Sequence, residues 1–177
     1  MGLFNKTTKK DTKSTQFGSE EKQLNPFEGM TTRQLLKYAL EKIGCTCEEE
    51  DDQYVTTTYQ GEFLRIHATD EHPWITIYDL GWYSAPLYDI NNMSLMRRAI
   101  NDYNLNCMPT IVYTIEKEED QMNIHTKVEL VWGPWLPDIN QYLKTYLDVL
   151  LGAHLRFFRR MEQIRREEAG GAPPPEK

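Results

Sequence analysis

Between Met122 and Trp132 the chain alternates with unusual regularity. Ile124, Thr126, Val128, Leu130 and Trp132 fall on one side of an extended backbone, and His125, Lys127 and Glu129 fall on the other. Side chains alternate across a strand, so this segment demands a sheet covered on one face and wet on the opposite one. That requirement excludes an all-helical bundle and a parallel sheet buried on both sides.

The rest of the pattern supplies the cover. Thr31 with Gln34 forms a capping box ahead of Leu35, Leu36, Ala39, Leu40 and Ile43, and Gly44 supplies a stop, which predicts a first helix over 31–44. Gln53 to Tyr59 and Glu62 to Thr69 are strands joined by a tight Gln60-Gly61 hairpin, and Trp74 to Leu80 is a third strand. Gly81 and Pro86 bracket a looser aromatic stretch. A second helix is expected from Asn91 or Asn92 to about Asn104, with Met96, Ala99, Ile100 and Tyr103 as its apolar stripe. Thr110 to Glu116 and Met122 to Trp132 make a second hairpin around an acidic turn.

Pro137 then suits the first turn of a long helix, in which Ile139, Leu143, Leu147, Leu150, Phe157, Phe158, Met161 and Ile164 keep helical spacing to about Glu168. About 30 residues at 1.5 Å each span roughly 45 Å, longer than one domain needs. The distal half, rich in arginine, is therefore expected to overhang the core. The fold class is α+β, in the order α-β-β-β-α-β-β-α. It implies an antiparallel five-stranded sheet with helices mainly on one face and a long C-terminal helix. Residues 1–25 are expected to be a flexible polar tail, 26–168 a single domain and 169–177 a disordered Gly/Pro tail.

Charge narrows the partners. The formal net charge is −7, yet residues 1–25 and 153–177 each carry +2, leaving −11 on the middle. Such a core repels phosphate backbones, so nucleic acid is not an expected ligand. No run approaches the ~20 apolar residues of a membrane span, and the opening Met1-Gly2-Leu3-Phe4-Asn5-Lys6 has neither a signal-peptide core nor a myristoylation pattern. Three cysteines, an odd number, point to a reducing, cytoplasmic setting.

Reactive chemistry is hard to assemble. The runs Glu48-Glu49-Glu50-Asp51-Asp52 and Glu116 to Asp120 lack the spaced ligands and turn glycine of a calcium loop, and read as solvated loop acids. Cys45-x-Cys47 has too few companions for a zinc site and the wrong spacing for a thioredoxin-like centre. His67, His72, His125 and His154 do not pair at metal-binding spacing, and no nucleophile elbow or phosphate-cradling glycine loop is present. No catalytic residue, cofactor or metal is expected.

Aromatic residues stand out instead. Trp82, Tyr83, Tyr88 and Trp135 lie in stretches read as loops, and Phe157, Phe158 and Met161 lie on the overhanging helix. These seven are the candidate partner-binding residues.

The element order, with Leu40-Glu41-Lys42-Ile43-Gly44, the acidic stretch after it and Tyr59-Gln60-Gly61-Glu62-Phe63, resembles the type III secretion chaperone-like fold. More narrowly, it resembles the YbjN-type family of bacterial sensory-transduction regulators. The resemblance implies a small dimeric protein that binds other polypeptides and has no catalytic residues to carry over. The expected function is thus a non-catalytic protein-binding module, a chaperone-like adaptor or regulator acting as a homodimer. One alternative is a ligand-binding or enzymatic domain with a pocket lined by Trp74, Tyr78 and His67. A further one is membrane-surface attachment through the basic end of the last helix.

Overall fold

A computed structural model describes residues 25–170. The tails expected at 1–25 and 169–177 lie outside the described residues, apart from Asn25, Ala169 and Gly170. Helix α1 (Thr32–Lys42) is opened by Thr31, which accepts from the Gln34 backbone while the Gln34 side chain accepts from Thr31 N–H. Strands β1 (Glu48–Glu49), β2 (Tyr54–Tyr59), β3 (Glu62–Ala68) and β4 (Trp74–Pro86) follow. Helix α2 (Ile90–Asn106), the hairpin β5 (Thr110–Glu116) and β6 (Gln121–Val131), and helix α3 (Ile139–Glu168) complete the chain. Asp89 caps α2 in place of the expected Asn91 or Asn92, and Asp138 caps α3, so Pro137 stands just before that helix.

The six strands form one antiparallel sheet in the order β1-β2-β3-β4-β6-β5. The expectation of five strands omits β1, whose two exposed glutamates carry the pattern of loop acids. Backbone pairing at a sheet edge needs no apolar side chain, and nearby cations offset the acids. Arg33 and Lys37 lie 3.8 and 3.9 Å from Glu49, and Arg65 grips Glu50 at 2.8 Å.

Burial alternates as the sequence requires. Leu64, Ile66 and Ala68 on β3 and Ile124, Val128 and Leu130 on β6 are buried beneath the helices, while Arg65, His67, Lys127 and Glu129 occupy the open face. The interior falls into two clusters. One joins α1, β2, β3 and the lower part of α3 around Trp132. The other joins α2, β5 and the upper part of α3 around Phe157.

Two corrections follow from the second cluster. First, β4 does not end at Gly81. That glycine adopts φ +67, a conformation that costs it little, and the strand bulges and resumes pairing with β6 from Tyr83 to Pro86. Second, α3 does not overhang. Phe157, Met161 and Ile164 are 0–2% exposed, packed with Leu95, Met96, Ala99 and Tyr103 of α2. The extended β4 and β6 carry the sheet past the β2–β3 hairpin, and α2 and the end of α3 cover that extension.

Candidate functional site

Two regions of the surface combine exposed apolar atoms with unpaired backbone or aromatic edges. The first is a shelf at the β4 bulge. Beyond Asp79, β4 no longer pairs with β3, and the bulge residues Leu80, Gly81 and Trp82 are fixed from below. Gly81 N–H donates to His125 Nδ1 at 2.9 Å, and Trp82 Nε1–H donates to Thr126 Oγ1 at 2.9 Å. The Trp82 indole meets Phe157 and Phe158 edge-on at 5.5 and 5.8 Å, and Tyr83 meets Phe158 at 5.2 Å. Phe158 stays 42% exposed, and Leu155, one turn before it on α3, is 55% exposed.

Under this shelf lies the most unusual polar group of the interior. Asp79 is buried, and His154 of α3 sets Nε2 2.7 Å from its Oδ2, although the two atoms are not aligned for a hydrogen bond. The His154 ring stacks on Trp82 at 4.2 Å. The contact joins α3 to the sheet where the two core clusters meet.

The second region is the bare edge of β5. Asn104 donates to Ile111 C=O at 2.8 Å and accepts from Ile111 N–H at 2.9 Å, standing in for a neighbouring strand. The Ile111 groups therefore point away from β6. Strand geometry repeats every second residue, so the N–H and C=O groups of Tyr113 and Ile115 point outward too. From Thr110 to Ile115 the strand carries no charge and no proline, the usual devices that blunt an edge. Tyr113 and Ile115 are 38 and 42% exposed, with Arg97 5.4 Å from the Tyr113 ring.

Of the seven candidate residues, Trp82, Tyr83 and Phe158 converge on the shelf. Phe157 and Met161 are core, which removes them as partner contacts. A partner is expected there only if the helix projects, and α2 covers them instead. Tyr88 is exposed in the turn after β4. The Trp135 ring folds over Gly133, where any Cβ would sit 2.2 Å from the indole. Trp74, Tyr78 and His67 lie on the open face. Trp74 stacks on His72 at 4.8 Å, His67 leans on Tyr54 at 5.1 Å, and Tyr78 pairs across to Arg65 and Lys127. By register His67 stands opposite Thr76, so Trp74 and Tyr78 flank it on the same face. Burial pushes the thiols of Cys45 and Cys47 up, which keeps them protonated and poorly nucleophilic. The β5 edge was missed, because strand order depends on distant residues.

Among the described residues, no helix is long and apolar enough to cross a membrane, and no group of three or more His, Cys, Asp or Glu is placed to hold a metal ion. No family model matches the chain, and no curated protein matches it. A solved structure described as an uncharacterized protein from Methanothermobacter thermautotrophicus is similar at 13% identity and a TM-score of 0.48. The match covers 74% of this chain and 96% of that one.

Proposed function

We propose that this chain is a non-catalytic, cytoplasmic polypeptide-binding module, a chaperone-like adaptor that works as a homodimer in the manner of the YbjN-type proteins it resembles. The observation that carries the reading is the β5 edge beyond Ile111, where Tyr113 and Ile115 offer backbone donors and acceptors on a stretch of strand without charge or proline. Such an edge is completed by an added strand. A second copy related by a two-fold axis at Thr114 fits it. Tyr113 of one copy then stands opposite Ile115 of the other, an aromatic–β-branched pair, with Thr114 opposite Thr114. The aromatic shelf beside the β4 bulge remains free in that arrangement to hold an apolar segment of another polypeptide.

Light scattering after size exclusion, across a micromolar range, tests the assembly. The wild-type chain is expected at dimer mass, and Ile115→Pro at monomer mass with an unchanged far-ultraviolet spectrum. The proline removes an outward N–H and leaves the β5–β6 ladder intact. A wild-type chain that stays monomeric throughout would overturn the dimer, and an Ile115→Pro chain that stays dimeric would move the interface elsewhere.

A further inference from the structure

We infer that the groove between the end of α2 and the second half of α3 is a binding site for a phosphate monoester. Arg156, Arg159 and Arg160 are spaced i, i+3 and i+4, so they rise from one face of α3. They face Asp102 and Tyr103 of α2 and Cys107 just after it, around a cavity of about 520 Å³.

The three guanidiniums are not equivalent. Arg160 is committed within the protein, to Asp102 at 2.5 and 3.0 Å and to Glu167 at 3.2 Å. Arg156 donates only to neutral acceptors, the carbonyls of Val149 at 3.0 Å and Met108 at 3.3 Å, and lies 6.0 Å from the Tyr103 ring. Its position is fixed, and no carboxylate among the described residues pairs with it. Arg159 is exposed and has no carboxylate partner among the described residues. Two such cations therefore share one wall of a hollow, on a chain whose net charge is −7.

The ligand class follows from matching those groups. A guanidinium presents five N–H donors, and most of those on Arg156 and Arg159 lack acceptors among the described residues. A phosphate monoester carries about −1.5 to −2 at neutral pH on three terminal oxygens, enough to engage both side chains together. A single carboxylate offsets only one of the two charges. The hollow is larger than a bare phosphate needs, and Tyr103 and the Cys107 thiol give it an apolar part. An ester with an organic body therefore fits better than the free ion. That body can be a small soluble molecule or the headgroup of a lipid.

Cys107 provides the readout. The full chain is titrated with phenyl phosphate, and alkylation of each cysteine by iodoacetamide is followed by peptide mass spectrometry, with Cys47 as the internal reference. Saturable protection of Cys107 alone is expected. Arg159→Gln should weaken it roughly tenfold, as the loss of one charged hydrogen-bonding group implies. Arg166→Gln, which breaks only the exposed pair with Glu162, should leave it unchanged. Vesicles of phosphatidic acid in phosphatidylcholine form a second arm. Protection by vesicles but not by phenyl phosphate assigns the lipid headgroup, and the reverse assigns a soluble ester. No protection in either arm overturns the site. So does an equal loss in Arg159→Gln and Arg166→Gln, which would mark diffuse attraction instead of a built pocket.

Discussion

His125 shows how one residue holds an irregular strand in place. Its Nδ1 accepts from Gly81 N–H, so the ring proton sits on Nε2, 2.8 Å from Thr114 Oγ1. The neutral ring thereby links the β4 bulge to β5 across β6. Burial pushes the pKa of His125 below its ordinary value, outweighing the opposite pull of Glu116 and Asp79. The unfolded chain therefore takes up this proton at a higher pH than the folded one. The stability contributed by the neutral ring is intact above the unfolded value of about 6.5, starts to fall as pH drops through it, and is lost below the folded value. His125→Gln should lower the melting temperature at pH 8, in keeping with about 1 kcal/mol per hydrogen bond lost. It should also flatten the decline in melting temperature on acidification below about pH 6.5. Carboxylates titrate in both proteins, so the difference between the two profiles isolates the histidine. Parallel profiles would mean that the ring is not held neutral by the fold.

Helix α3 gives the same argument at the scale of an element, because neighbours in sequence have opposite fates. Phe157 is fully buried between Trp82 and α2, whereas Phe158 is 42% exposed on the shelf. Phe157→Ala should cost about 3–5 kcal/mol in urea unfolding. Phe158→Ala should cost less than about 1.5 kcal/mol, since much of its area is already in water. Similar costs for the two would place the helix in a different rotation. This element also marks the boundary of what could be read from the chain. Helical spacing from Ile139 to Ile164 established that an apolar stripe exists, as did Thr31 and Gln34 for the start of α1, because both signals are local. The Gln60-Gly61 hairpin was equally legible, and its φ angles of +51 and +92 are those a tight two-residue turn requires. What covers the distal stripe was not legible. Its cover is α2, positioned by a sheet extension that hinges on Gly81, and a glycine in a strand pattern reads alike as an end or a bulge. The candidate site divides in the same way. Trp82, Tyr83 and Phe158 were identifiable as aromatic residues in need of neighbours, and the shelf joining them exists only once α3 lies across the bulge. The β5 edge left no trace in Thr-Ile-Val-Tyr-Thr-Ile, because an edge strand and an inner strand share the same alternation.

At the scale of the whole molecule, the two core clusters are bound into one unit by the elements they share. Leu143, Leu147 and Leu150 of α3 serve the cluster around Trp132, and Ala153, Phe157, Met161 and Ile164 serve the other. Strand β6 divides likewise, with Val128 and Leu130 in one and Met122 and Ile124 in the other. Asp79 and His154 meet at the junction. Neither half can release α3 or β6 without exposing apolar surface in both, so unfolding is expected to be a single two-state transition. Leu147→Ala and Phe157→Ala should each shift its urea midpoint and leave its slope unchanged. A chain ending at Gly152 extends the test. It loses Phe157, Met161 and Ile164, whose burial is worth on the order of 7–15 kcal/mol, comparable to the entire stability of about 5–15 kcal/mol. It should therefore lose protection of backbone amides in β2 and β3, which it keeps in full, as well as in β5. Hydrogen exchange reads the strands separately. Persistent protection of β2 and β3 in the shortened chain would show that the lower cluster folds alone, and that the helix crossing both clusters does not couple them.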